Sequence, residues 1–273
     1  MFKKTLSLIA LTLCLIYSNR SFSADYSDNI HKNDFKWFQF NLLHSVNNKL
    51  PFNNQNDTFF EMEFGGRSGI LDIYGFLDVL DIFDTTKSDL HNKDNLFFKF
   101  APKISLDAAT GHDLSIGPIT EWYIATQTNV GDRSLFEHFI GLGADVQVPW
   151  FGKVSPKLMA RYVRENFGAA NERKFDGYLL SITWFKPFYV IDDKSFVTYQ
   201  GFFDYTFAAD KISDDLDRTS SSLAWYNGLY WHSERYAAGY GLKIYKDMGL
   251  FKDGGIAGET SGVGHYFVLT YKF

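Results

Sequence analysis

The sequence predicts an all-β fold, a transmembrane antiparallel β-barrel of about 12 strands with both termini periplasmic. Three observations carry that expectation. The chain opens on an export-type leader, after which no cysteine remains. Aromatic content is 18%, with 28 Phe and 16 Tyr, yet mean hydropathy is only −0.19. And period-two alternation recurs in one segment after another, without any later apolar run approaching the roughly 18 residues that a spanning helix needs.

The leader reads MFKKTLSLIALTLCLIYSNRSFS. Two lysines precede the apolar run Leu6 to Tyr17, and small residues follow at Ser21 and Ser23. That order predicts a secretory signal peptide over 1–23, cleaved before Ala24, with 24–273 as one domain. A signal anchor is the alternative, but the apolar core of about a dozen residues falls short of a span of about 20. Cys14 lies inside the leader behind Leu13, where a lipoprotein would place a small residue. The exported chain is therefore expected to be stabilised without disulfides. The leader holds three of the 27 basic residues and no acid, so 24 basic stand against 32 acidic residues, a net −8. Such a balance excludes a nucleic-acid polyanion as the expected partner.

Each strand shows two faces. In DTFFEMEF, Phe60, Met62 and Phe64 oppose Glu61 and Glu63. In ILDIYGFLDV, Leu71, Ile73, Leu77 and Val79 oppose Asp72, Tyr74, Phe76 and Asp78. NLFFKFAPKIS sets Leu96, Phe98, Phe100 and Ile104 against Lys99 and Lys103, and FIGLGADVQV sets Ile140, Leu142, Ala144, Val146 and Val148 against Asp145 and Gln147. FVTYQGFFDYTF sets Val197, Tyr199, Phe203, Tyr205 and Phe207 against Thr198, Gln200, Asp204 and Thr206. A soluble sandwich also alternates, but its inner face seldom carries this aromatic bulk against repeated acids. A bilayer admits only helices or closed barrels, because every backbone N–H and C=O needs an internal partner.

The connections are expected to alternate in length. GGRS, DAATGH, PWFG, KPFYVIDD and HSER read as tight turns, and six polar stretches between them as external loops. Tryptophan favours interfaces. Trp37, Trp150, Trp184 and Trp231 are placed at the periplasmic rim, Trp122 and Trp225 at the external one. In SLAWYNGLYWH both faces are apolar and Asn227 shares a face with Trp225 and Trp231, so the register there is open. The closing GHYFVLTYKF alternates Phe267, Leu269, Tyr271 and Phe273 with Val268, Thr270 and Lys272. It is expected to zip onto the first strand, abolishing the edges, with Phe273 as a signal to the barrel assembly machinery.

Catalytic motifs are scarce. GGRSG lacks the spacing of a nucleophile elbow, and no H-E-x-x-H or Cys/His cluster suggests a metal. Outer-membrane phospholipase barrels place His and Ser two apart; here His44–Ser45 and His232–Ser233 are adjacent and would point to opposite sides. Neither an enzyme nor a cofactor is expected. The lumen remains. Its candidate solute-binding residues are Glu61, Glu63, Asp72, Tyr74, Phe76, Asp78, Lys99, Glu121, Tyr123, Phe202 and Asp204, with Lys103, Asp145, Lys157, Arg161, Lys243, Tyr245 and Tyr266 also inward. Aromatic faces stack planar solutes, and acids accept hydrogen bonds from hydroxyls or exocyclic amines while disfavouring anions. The competing reading is that these charges pair with one another and plug the bore, leaving a structural or surface-recognition barrel.

Long stretches are recognisable as a family. EMEFGGRSGILDIYGF, KFAPKISLDAATGHDLSIGP, DGYLLSITWFKPF, YWHSERYAAGYGLKIY and GHYFVLTYKF resemble the Tsx family of nucleoside-specific channel-forming proteins, within it the outer membrane protein K branch. Asn56-Asp57-Thr58, Ser115-Ile116-Gly117-Pro118 with Glu121-Trp122-Tyr123, and Gly168-Ala169-Ala170-Asn171-Glu172 with Asp176-Gly177-Tyr178 carry the resemblance to Tsx itself. It implies a monomeric outer-membrane barrel that passes nucleosides and deoxynucleosides down their gradient without a cofactor. It also implies use of the external loops as a phage receptor.

Overall fold

The computed structural model describes residues 26, 28–52, 56–83, 95–131, 135–166, 168–192, 194–211 and 217–273. The leader and its expected cleavage point lie outside them. Aromatic and β-branched runs, which fit a pleated, half-buried surface, form β1 (Phe35–Val46), β2 (Asp57–Ser68), β3 (Leu71–Val79), β4 (Leu96–Phe100) and β5 (Lys103–Ser105). A short helix α1 (Leu106–Thr110) follows. The sheet then continues through β6 (Ile119–Gly131), β7 (Leu135–Val148), β8 (Gly152–Asn166), β9 (Lys174–Asp192), β10 (Ser195–Phe207), β11 (Ser222–His232), β12 (Tyr236–Lys246) and β13 (Gly262–Lys272).

All pairings are antiparallel and follow chain order, and β1 pairs with β13 from Gln39 opposite Lys272 to Val46 opposite His265. The sheet therefore closes. β4 and β5 form a single stave, both pairing with β3 on one side and β6 on the other, so 13 segments make 12 staves. Pro102 explains the break, since it has no N–H for the ladder; its carbonyl still accepts from the Thr126 amide and hydroxyl at 3.0 and 2.8 Å.

Burial is inverted relative to a soluble domain. Leu42, Ile140, Leu142, Leu158, Leu229, Phe267 and Leu269 are exposed on the outer face, while Asn41, Glu121, Asp145, Arg161 and Asp176 are buried inside. An apolar belt of this size on the outside matches lipid. Among the described residues no helix is long and apolar enough to cross a membrane; the strands cross it. Outward polar groups are paired, as hydrocarbon requires: His44 with Thr58 at 2.8 Å, His138 with Thr128 at 3.0 Å, His265 with Tyr240 at 2.7 Å. The register of β11 is settled the same way. Asn227 faces outward, and its Oδ1 accepts the Tyr199 hydroxyl at 2.6 Å.

Several expectations need correction. Loop lengths do not alternate strictly. The β5–β6 connection, expected to be a tight turn, runs through residues 106–118 and contains α1, whereas β6 and β7 are separated by residues 132–134 alone. Ser105 caps α1, accepting from the Ala108 amide at 3.1 Å, and Gly111 closes it in the left-handed region at φ 68°. KPFYVIDD is not a turn either: β9 continues to Asp192 and pairs with β10 through two register shifts. Trp122, placed externally from the sequence, follows α1 and so belongs to the turn end. Trp37 is at the turn end but points inward, its indole against Gly65 and 6.2 Å from the Tyr74 ring. Phe273 packs outside at the same end, 5.2 Å from the rings of both Phe38 and Phe40.

Candidate functional site

Alternate residues of each strand face the bore, with the phase reset at the register shifts among β6–β10, and strand spacing sets their neighbours. At the turn end they form a closed ionic network. Arg67 on β2 donates from Nε and Nη2 to Asp72 Oδ2 at 3.2 and 3.0 Å. It also donates from Nη1 to Glu121 Oε2 at 3.1 Å and to the Tyr26 hydroxyl at 2.8 Å, and from Nη2 to the Tyr123 hydroxyl at 2.7 Å. Tyr26 and Tyr123 donate in turn to the two oxygens of Glu121, each at 2.5 Å. Lys103 lies 3.6 Å from Asp72, 3.7 Å from Asp145 and 4.0 Å from the Tyr123 ring centroid. Asp145 is completed by Lys153 at 3.0 Å and Ser155 at 2.6 Å. Each charge here has a partner, which is the condition for burying it.

The segment bearing Tyr26 is tied down at a second point. Asp34 accepts from the Gly69 amide at 2.8 Å, from Ser68 at 3.1 Å and pairs with His31 at 2.9 Å. The Gly69 amide, then the His31 and Ser68 hydrogen bonds, hold its carboxyl below the usual carboxylate range.

At mid-lumen the walls differ in chemistry. On β1–β3, Gln39 donates to Glu63 at 2.5 Å, Asn41 to Glu61 at 2.6 Å and to Glu63 at 3.1 Å, and the Tyr74 hydroxyl to Glu63 at 2.8 Å. Asp78 faces Glu61 in register, with its Oδ1 buried and unpartnered among the described residues. On β11–β13 the wall is tyrosine. The Tyr226 and Tyr230 hydroxyls share a hydrogen bond at 2.6 Å, and those of Tyr245 and Tyr266 share another. Glycine makes room for these rings: a methyl group at Gly239 would overlap Tyr230, and one at Gly241 would overlap Tyr226. Tyr226 stacks on Phe202 of β10, centroids 5.8 Å apart at 20°.

Between these walls the bore is crossed. Lys99 of β4 reaches Asp204 of β10 at 3.5 Å, from a nearly opposite stave. Its ammonium is 5.7 Å from the Phe76 centroid and 5.9 Å from that of Phe202. Ala125, Phe139, Met159 and Leu179 of β6–β9 fill their side of the bore as a small buried core. The passage is thereby confined to the space between the carboxylates and the tyrosines.

The residues singled out from the sequence thus divide. Glu61, Glu63, Tyr74, Phe76, Asp78, Lys99, Phe202 and Asp204 gather at mid-lumen, whereas Asp72, Glu121 and Tyr123 belong to the turn-end network. Sequence reasoning missed Gln39, Asn41, Tyr226 and Tyr230. The first two lie in FKWFQFNLLHSV, where amides alternating with Phe38, Phe40 and Leu42 were a signal of an inward polar face. The tyrosines lie in the one strand whose two faces read alike. Among the described residues no cluster of His, Cys, Asp and Glu could hold a metal ion.

Comparisons with known proteins bear on this bore. The family profile described as nucleoside-specific channel-forming protein, Tsx, matches residues 32–273. The chain is 45% identical over 271 residues to outer membrane protein OmpK of Vibrio parahaemolyticus, covering 98% of this chain and 99% of that one. It is 27% identical over 288 residues to the nucleoside-specific channel-forming protein Tsx of Salmonella typhimurium, covering 99% of this chain and all of the other. Among solved structures, the KdgM porin superposes with a TM-score of 0.48 at 8% identity, over 86% of this chain and 99% of that one.

Proposed function

The chain belongs to the Tsx family of outer-membrane channels, and from that premise we propose that it admits nucleosides and deoxynucleosides passively and selectively. The observation that carries the reading is the mid-lumen juxtaposition of Phe202 stacked on Tyr226 with the carboxylates and amides of β1–β3 across the passage. A planar base would stack on the aromatic side, each such contact contributing about 1–3 kcal/mol. Ribose hydroxyls and exocyclic amines would donate to Glu61, Glu63 or Asp78. A hydroxyl replacing its water partners by a carboxylate gains little net energy, about 1.5–3 kcal/mol at most. Weak contacts of this order suit a channel, where a solute has to leave as readily as it enters. The side chains bind and orient; no bond of the solute is altered.

The same reading takes the barrel as a monomer, with Phe273 as a handle for assembly machinery and the external loops as the surface a phage would use. Liposome swelling tests the transport claim. Adenosine and thymidine are expected to enter about tenfold faster than sugars of similar mass, a margin of about 1.4 kcal/mol; equal rates would refute selectivity. A plugged barrel is the second reading, favoured by the turn-end network around Arg67, which ties Tyr26 into the bore. Absence of single-channel conductance would decide for it.

A further inference from the structure

Glu61, Glu63, Asp78 and Asp204 outnumber the three lysines that stand among them at mid-lumen, so nothing there favours an anion. A lysine in that company serves a neutral solute as a hydrogen-bond donor. We propose that Lys243 reads the base, its ammonium donating to a base carbonyl. The channel then favours nucleosides whose base has a lactam edge, a carbonyl beside a ring N–H, over bases with an amine beside a bare ring nitrogen. The proposal rests on the nucleoside reading above and narrows its substrate class.

Register places Lys243 at the ring slot. Phe202 of β10 is opposite Tyr226 of β11, and Tyr226 is opposite Lys243 of β12, so the stacked rings and the lysine form one row along the wall. The next position in that row is Gly264 of β13, which has no side chain to take up the ammonium. The ammonium lies instead among rings, 5.4 Å from the Phe202 centroid, 5.0 Å from that of Tyr245 and 5.8 Å from that of Tyr266. Asp204, Asp78 and Glu61 act on it through space, with Lys99 opposing them. Among the described residues none of these carboxylates forms an ion pair with it and no side chain accepts from it, whereas Lys99 holds Asp204 at 3.5 Å. An ammonium has three N–H donors and no acceptor, so with its charge balanced and no acceptor in the wall it suits an oxygen that the solute brings. A base stacked on Phe202 and Tyr226 would meet it edge-on. Asp78 and Glu61 lie across the passage, and Asp78 Oδ1 has no partner among the described residues, so a ring N–H finds its acceptor there. Hypoxanthine, guanine, uracil and thymine present carbonyl and N–H side by side and use both walls. Adenine sets an amine where the carbonyl would be, a donor against a donor. A site built to bind the oxygen disfavours the analogue lacking it, because its own polar group is left unpaired.

The test is current block in planar bilayers by inosine and adenosine, on the full-length protein and on Lys243→Met and Lys243→Arg. The two solutes differ only in a 6-oxo group with its ring N–H against a 6-amino group. Inosine is expected to block about tenfold more tightly than adenosine, the gain of one charge-assisted hydrogen bond. Lys243→Met keeps an unbranched stem over the rings, and should bring the two solutes within about twofold of each other by weakening inosine alone. Lys243→Arg keeps the donors and should retain the preference. Inosine that blocks no better than adenosine, or a preference that survives Lys243→Met, overturns the assignment while leaving the nucleoside reading standing. Equal weakening of both solutes by Lys243→Met, the mark of a merely structural lysine, overturns it as well. If neither nucleoside blocks the unmodified channel, the nucleoside reading falls and the assignment with it.

Discussion

The two ends of the lumen use the same residue types to opposite effect. At the turn end Arg67, Asp72, Glu121, Tyr123 and Tyr26 satisfy one another at 2.5–3.2 Å. At mid-lumen Lys99 meets Asp204 only at 3.5 Å, and Lys243 rests over aromatic faces without a carboxylate partner among the described residues. The contrast separates charge that holds a barrel together from charge left for a solute. A buried ion pair is costly to form, and its removal by halves is costlier still.

That comparison breaks most sharply at Arg67. Arg67→Met removes the guanidinium shared by Asp72 and Glu121, and should lower unfolding stability by about 3–5 kcal/mol, read by urea unfolding in detergent micelles. Phe202→Ala at mid-lumen should do the reverse. Stability should fall little, while adenosine block weakens about tenfold through the lost stacking partner. Gly241→Ala should weaken block by a smaller factor, about three- to fivefold, because a methyl group there displaces the Tyr226 hydroxyl from its stacked position. Unchanged block in both would remove the tyrosine wall from the passage. Tyr26→Phe deletes one donor and one acceptor at the turn end, costs about 1 kcal/mol, and should raise single-channel conductance modestly as the N-terminal segment loosens.

The smallest effect is set by pH. Asp34 has a depressed carboxyl, so its tie to Gly69 is present above the unfolded value of about 3.9 and is lost as pH falls through the lower folded value. Conductance should therefore stay level from neutral pH to about 4 and rise only in stronger acid. Asp34→Asn, which cannot titrate, should abolish that acid step.

Much of this was legible because a barrel strand reports its facing residue by residue. Glu61, Glu63, Tyr74, Phe76 and Asp78 could be placed inward from parity alone. What parity could not supply was height. Twelve staves are staggered, so residues distant in sequence share a level only through the register, as Lys157, Ser181 and Asp204 do. Glu121 and Tyr123 carried the same inward signature as Glu61 and Tyr74, and only the register sets them at the turn end, against Arg67. Strand breaks were hidden for another reason. Connection lengths read from polar residues misplace α1 and the end of β9, because Tyr189, Val190 and Asp192 continue the ladder past Pro187, with Phe188 and Ile191 skipped at the two register shifts. Trp122 was misplaced with them.

Current through single reconstituted channels, titrated with adenosine on the unmodified protein and on Phe202→Ala, meets the central claim most directly. An open conductance that adenosine blocks to saturation, with the block weakened about tenfold by the substitution, is the expected result. A bore that carries no current, or one whose current adenosine leaves untouched, would contradict it.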